Sequence, residues 1–226
     1  MPFHPSHNSR LLAASLLALL LSSYLFAAEA HGDESRDISK VNGGIRVSAN
    51  EVVGEVSSVN GGIDIGRGAS ASSVETVNGG IEIEDEARVA SAETVNGGIR
   101  IGENVTIEGA VETVNGGVRV DAGSSIGGGI ETTNGRITLD AVRVSEDIVT
   151  TNGDINLRGE SEVGGDVIFE GRRSMWTRWL NWSRRTPELT IDSNVVIHGN
   201  IRLYQEVELE IADGASYGEI VRHYRD

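Results

Sequence analysis

The chain has 226 residues, 38% of them hydrophobic but only 4% aromatic, with 29 glycines, 3 prolines and no cysteine. This composition excludes disulfides, thiolate metal sites and cysteine nucleophiles, and it suits a thin core of stacked Val, Ile and Ala better than one filled by large rings. The formal net charge of −15 opposes nucleic-acid binding, which requires a basic footprint.

At the N-terminus, residues 1–10 are polar with one fixed positive side chain, Arg10. Leu11 to Phe26 is almost wholly apolar, and Ala28-Glu29-Ala30 follows. A charged start, an apolar middle and small residues at the exit are the marks of a secretory signal peptide. The apolar run is shorter than the ~20 residues that span a bilayer comfortably. Residues 1–30 are therefore expected to be a leader removed on export to the periplasm or cell surface, the alternative being an uncleaved anchor. Residues 31–40 are polar and read as a flexible lead-in. No later segment is apolar enough to span a membrane, so no transmembrane span is expected in the mature chain.

From residue 41 to 170 the sequence repeats. Val41-Asn42-Gly43-Gly44-Ile45 recurs four more times, and two degenerate copies follow. The corner asparagines are Asn42, Asn60, Asn78, Asn96, Asn115, Asn134 and Asn152, at successive gaps of 18, 18, 18, 19, 19 and 18. After each corner comes an apolar-polar-apolar triplet such as Ile81-Glu82-Ile83, and before it a stretch such as Val74-Glu75-Thr76-Val77. Period-two alternation means strands with one face buried. One such repeat cannot bury its apolar face alone, whereas stacked copies share a continuous stripe. The expected fold is all-β, a single-stranded β-solenoid of ~18-residue coils. The competing fold is an antiparallel meander, because Asn-Gly between apolar stretches is also a hairpin signal. In the solenoid, the recurring Asn would tolerate left-handed backbone and bond along a ladder of its equivalents, and the paired glycines would supply positive φ.

Stacking aligns equivalent side chains. The strand after the corner presents Arg46, Asp64, Glu82, Arg100 and Arg119, whose mixed signs would pair adjacent turns. The strand before it presents Glu75, Glu93, Glu112 and Glu131, a ladder of like charges. These glutamates read first as a solvated face that discourages lateral aggregation. The rival reading is an acidic strip gathering divalent cations or a basic partner, although calcium needs six or more converging oxygens.

The repeat breaks at residues 171–187, which hold all three tryptophans (Trp176, Trp179, Trp182) and five arginines (Arg172, Arg173, Arg178, Arg184, Arg185) with no acid between Gly171 and Pro187. An inserted loop or short amphipathic helix is expected here. It would serve as a lid on the solenoid flank, or as a docking element for an anionic lipid surface, a glycan or a protein partner of the envelope. Residues 188–226 resume β patterning, and Tyr217 to Asp226 would cap the open end.

The corner motif, its period and the leader resemble the adhesin-like family of bacterial β-strand-repeat proteins, over about Lys40 to Gly165. That resemblance implies an exported β-solenoid and brings no catalytic motif with it. A fainter likeness is to bactofilins, polymer-forming scaffolds of short β-coils, whose cytoplasmic face conflicts with the leader. No nucleotide loop, nucleophile elbow or zinc-protease motif is present, and the histidines beyond the leader, His31, His198 and His223, are far apart in sequence. The expectation is a non-catalytic envelope protein without cofactor, with self-association open. The rivals are a docking module acting through residues 172–185 and a carbohydrate-active β-helix.

Overall fold

The computed structural model describes residues 35–171 and 185–224. Among them every regular element is a strand. The strands form three parallel sheets stacked as a β-solenoid of about nine turns with coils of about 18 residues. The meander is overturned, because each strand pairs in parallel with its equivalent one turn away. Hairpins would have required neighbours in sequence to pair antiparallel. The sheets contain ten, nine and seven strands. The first holds the strands that precede the corner, such as Val111–Asn115, and the second those that follow it, such as Ile99–Ile101. The third is built from two-residue strands such as Thr106–Ile107.

Alternation decides which side chains enter the core. Ile81 and Ile83, Ile99 and Ile101, and Val118 and Val120 all point inward from the second sheet and are buried. From the first sheet, Val74, Ala92, Val111 and Ile130 form one inward column. Beside it runs a buried polar column of Thr76, Thr94, Thr113 and Thr132. A buried hydroxyl without a partner is costly. Each of these threonines donates to the carbonyl of the corner glycine one turn earlier (Gly61, Gly79, Gly97 and Gly116), at 2.9 Å in every case. Ser58 starts the column, and its buried Oγ has no partner.

The glycines of the corner act differently from the expectation. Of the corner residues only Gly43 has positive φ, at 95°. The first glycine is instead required by close approach between turns. A Cβ on Gly97 would lie 1.9 Å from the Gly79 carbonyl oxygen, and one on Gly116 only 1.8 Å from that of Gly97. The second glycine has more room: a Cβ on Gly80 or Gly98 would stand 3.2 Å from its nearest neighbour. That freedom explains why Arg136 and Asp154 replace it in later turns. Left-handed backbone falls at the other turn of the coil, between the second and third sheets, where Asn50, Gly68, Glu86, Asn104, Gly123, Ala141 and Gly159 have φ between 50° and 77°.

The strand Arg36–Asn42 begins within the stretch expected to be a lead-in and pairs with residues 53–60. After the insertion the sheets continue through Glu188–Ile191, Val196–Ile197 and Ile201–Leu203. At the C-terminal end Ile220–Arg222 closes the first sheet, with Tyr204 stacked on His223 at 4.3 Å. Both ends of the first sheet place a cation in a column that is otherwise buried: Lys40 over Ser58, and Arg222 under Leu203. Lys40 Nζ donates to the Gly44 carbonyl at 2.9 Å. Charges at such positions discourage edge-to-edge pairing. The leader, residues 31–34, and Arg172–Arg184 lie outside the described residues. No helix among the described residues is long and apolar enough to cross a membrane.

Candidate functional surfaces

Because the coil repeats, each outward position becomes a column parallel to the solenoid axis. The corner asparagines form an unbroken amide ladder. Each Nδ2 from Asn60 to Asn152 donates to the Oδ1 of the asparagine one turn earlier, at 3.3, 3.0, 3.0, 3.0, 2.9 and 2.9 Å. The ladder is part of the framework. Its amides are largely consumed by one another, which makes it a poor ligand site.

The glutamate ladder is in register as expected: Glu75, Glu93, Glu112 and Glu131 stand directly above one another. Its setting differs from a solvated face. All four are only half-exposed, beside an equally half-buried column of Val59, Val77, Val95 and Val114. Burial raises the Glu75 carboxyl above its ordinary value, with Glu55 adding to the rise. Glu93 is pushed up to about 7, first by burial and then by Glu112 and Glu75. Near neutral pH this column therefore carries less than its full negative charge. Among the described residues no group of three or more His, Asp or Glu is placed to hold a metal ion.

The mixed-sign column of the second sheet pairs in part as expected. Arg46 meets Asp64 of the next turn at 2.7 Å, and Arg100 approaches Glu82 at 3.8 Å. Arg119 turns instead to Asp121, just past the end of its own strand, at 3.0 Å, and Arg100 and Arg119 stand in register as like charges. Beside this column the second corner glycines (Gly62, Gly80, Gly98, Gly117) leave a gap where side chains would stand. The result is a trough of about 510 Å³ that runs along the axis. Asp64 and Glu82 line one end. Arg100, Arg119 and Arg136 line the other. Sequence reading placed Asp64, Glu82, Arg100 and Arg119 in one outward column but missed the trough and Arg136 at its end. The signal was there, in the column of second glycines that ends at Arg136.

Of the Arg/Trp segment, Arg172, Arg173, Trp176, Arg178, Trp179, Trp182 and Arg184 lie outside the described residues. Arg185 is described, and it rests on the solenoid flank. It meets Asp154 at 3.1 Å, the same carboxylate that Arg136 holds at 2.9 Å.

These features define a three-sheet β-solenoid with axis-parallel polar columns. No family model, curated protein or solved structure matches the chain.

Proposed function

We propose that the chain is a non-catalytic, adhesin-like interaction scaffold of the bacterial cell envelope, exported by its N-terminal leader. The observation that carries this reading is the repetition of the outer surface. Turn after turn presents polar positions in register, in columns of asparagine, glutamate and mixed charge. Such a surface suits recognition spread over many weak, repeated contacts, whereas chemistry requires unlike groups converging on one point. The leader pattern and the resemblance to the adhesin-like β-strand-repeat family support the location.

The experiment is envelope fractionation of cells expressing the full chain, followed by identification of what copurifies with the mature protein. Association with envelope material is expected, together with a mature N-terminus near residue 31. A protein found wholly in the cytoplasm with its leader intact would overturn the reading. Deleting residues 172–186 separates the scaffold from the docking module. Association that survives the deletion places recognition on the solenoid columns, and its loss assigns recognition to the Arg/Trp segment.

A further inference from the structure

The trough on the second sheet offers more than a neutral surface. It runs across five turns, from Gly62 to Arg136, or ~19 Å at the usual interstrand spacing. Its floor is glycine main chain whose carbonyls are used between turns: Ile63 N donates to the Gly80 carbonyl, Ile81 N to that of Gly98, and Ile99 N to that of Gly117, at 2.9–3.0 Å. The charged side chains of the wall are what distinguishes one ligand from another. At its far end Arg136 takes the glycine position. There Arg136 lines the trough together with Arg100 and Arg119.

Three guanidinium groups thus line one end of a groove in a chain of net charge −15. Each has an acidic neighbour that leaves part of the guanidinium unused. Glu82 lies 3.8 Å from Arg100. Asp121 holds Arg119, and Asp154 is divided between Arg136 and Arg185. The three arginine side chains are 55–64% exposed, which leaves guanidinium N–H groups open to a ligand. Arg100 directly over Arg119 is a like-charge contact that an anion between them would relieve. Planar guanidinium groups favour carboxylate and phosphate oxygens, which they can bind in bidentate fashion. Asp64 and Glu82, at the opposite end, are acceptors for hydroxyl groups. Among the described residues no aromatic side chain lines the trough, so recognition by them rests on charge and hydrogen bonding.

We propose that this trough binds an extended anionic glycan, with its carboxylate or phosphate groups on Arg100, Arg119 and Arg136 and its hydroxyl groups toward Asp64 and Glu82. The inference rests on the interaction-scaffold reading and specifies the ligand of one of its columns.

The test is titration of the mature protein with fluorescently labelled oligogalacturonate and phosphomannan oligomers, with neutral dextran of matched length as control. Binding of at least one anionic oligomer is expected, weakening as salt rises, and the preferred oligomer identifies the anion. The double variant R100Q/R119Q should bind at least tenfold more weakly. E75Q/E93Q, on the first sheet, should bind as the wild type does. Circular dichroism and melting confirm that both variants are folded. The proposal is overturned if neither anionic oligomer binds more tightly than dextran, or if R100Q/R119Q binds unchanged. Should that happen while envelope association persists, only the ligand assignment fails. Shortening of the oligomers during incubation would instead overturn the non-catalytic reading itself.

Discussion

Two neighbouring glycines in the same motif have different physical duties. Gly97 sits where the main chain of the preceding turn leaves no room for a methyl group, since a Cβ would fall 1.9 Å from a carbonyl oxygen. Relief requires the two turns to move apart. G97A is expected to cost about 3 kcal/mol, the upper range of overpacking, and to lower the melting temperature by roughly 6–12 °C for a domain of this size. G98A meets its nearest atom at 3.2 Å and should cost less than about 1 kcal/mol. Equal losses in thermal denaturation would refute this division of labour. At the same scale, Glu93 ties stability to pH. Its folded-state pKa of about 7 lies above the ordinary carboxylate value of 4.5. The native state therefore keeps a proton that the unfolded chain releases. The stabilisation is complete below about pH 4.5 and is lost as pH rises through 7. E93Q should raise stability above pH 7 by about 1–2 kcal/mol, once solvent screening is allowed for, and flatten the slope between pH 5 and 8. Melting curves of both proteins across that range check the sign; an unchanged slope in the variant would contradict it.

At the scale of the repeated element, the asparagine and threonine columns tie adjacent turns together at the corner. Asn96 donates to Asn78 and accepts from Asn115, both at 3.0 Å. N96A breaks two links at once. It is expected to cost about 1–2 kcal/mol, two modest net hydrogen bonds, with little change to the fold. A denaturant titration in which N96A matches the wild type would show the ladder to be decorative. The asparagine period was legible because one residue type recurs in one place. The threonine column was equally present in the sequence, yet its meaning depends on which carbonyl each hydroxyl meets. That partner lies in another turn, 15 or 16 residues away. The left-handed turn escaped sequence reading for a different reason. Asn50, Gly68, Glu86, Asn104 and Ala141 share a backbone conformation but not a residue type, so no recurring letter marks it.

At the scale of the whole molecule, the solenoid is a one-dimensional stack in which each turn touches only its neighbours. Residues 79–96 comprise one complete coil, between two corner asparagines 18 positions apart. Deleting them should rejoin Asn78 to Gly97 with every column still in register. The expected product is a folded protein with a lower melting temperature, shorter by ~4.8 Å in small-angle scattering. Deleting nine residues from the same place would exchange inward and outward columns and should abolish folding. If the two deletions behave alike, the stack is not the unit of stability.

The sequence by itself determined the coil length, the corner asparagines, the inward aliphatic columns and the alignment of the four glutamates. Periodicity fixes all of these before any distance is known. Only the tertiary structure decided that the strands pair in parallel, because a corner and a hairpin use the same Asn-Gly letters. It also decided what surrounds each column. Glu93 is half-dry, Gly97 has no space above it, and Gly62, Gly80, Gly98 and Gly117 open into a trough that Arg136 also lines. Those properties belong to atoms one turn apart, whose distance the order of residues along the chain does not record.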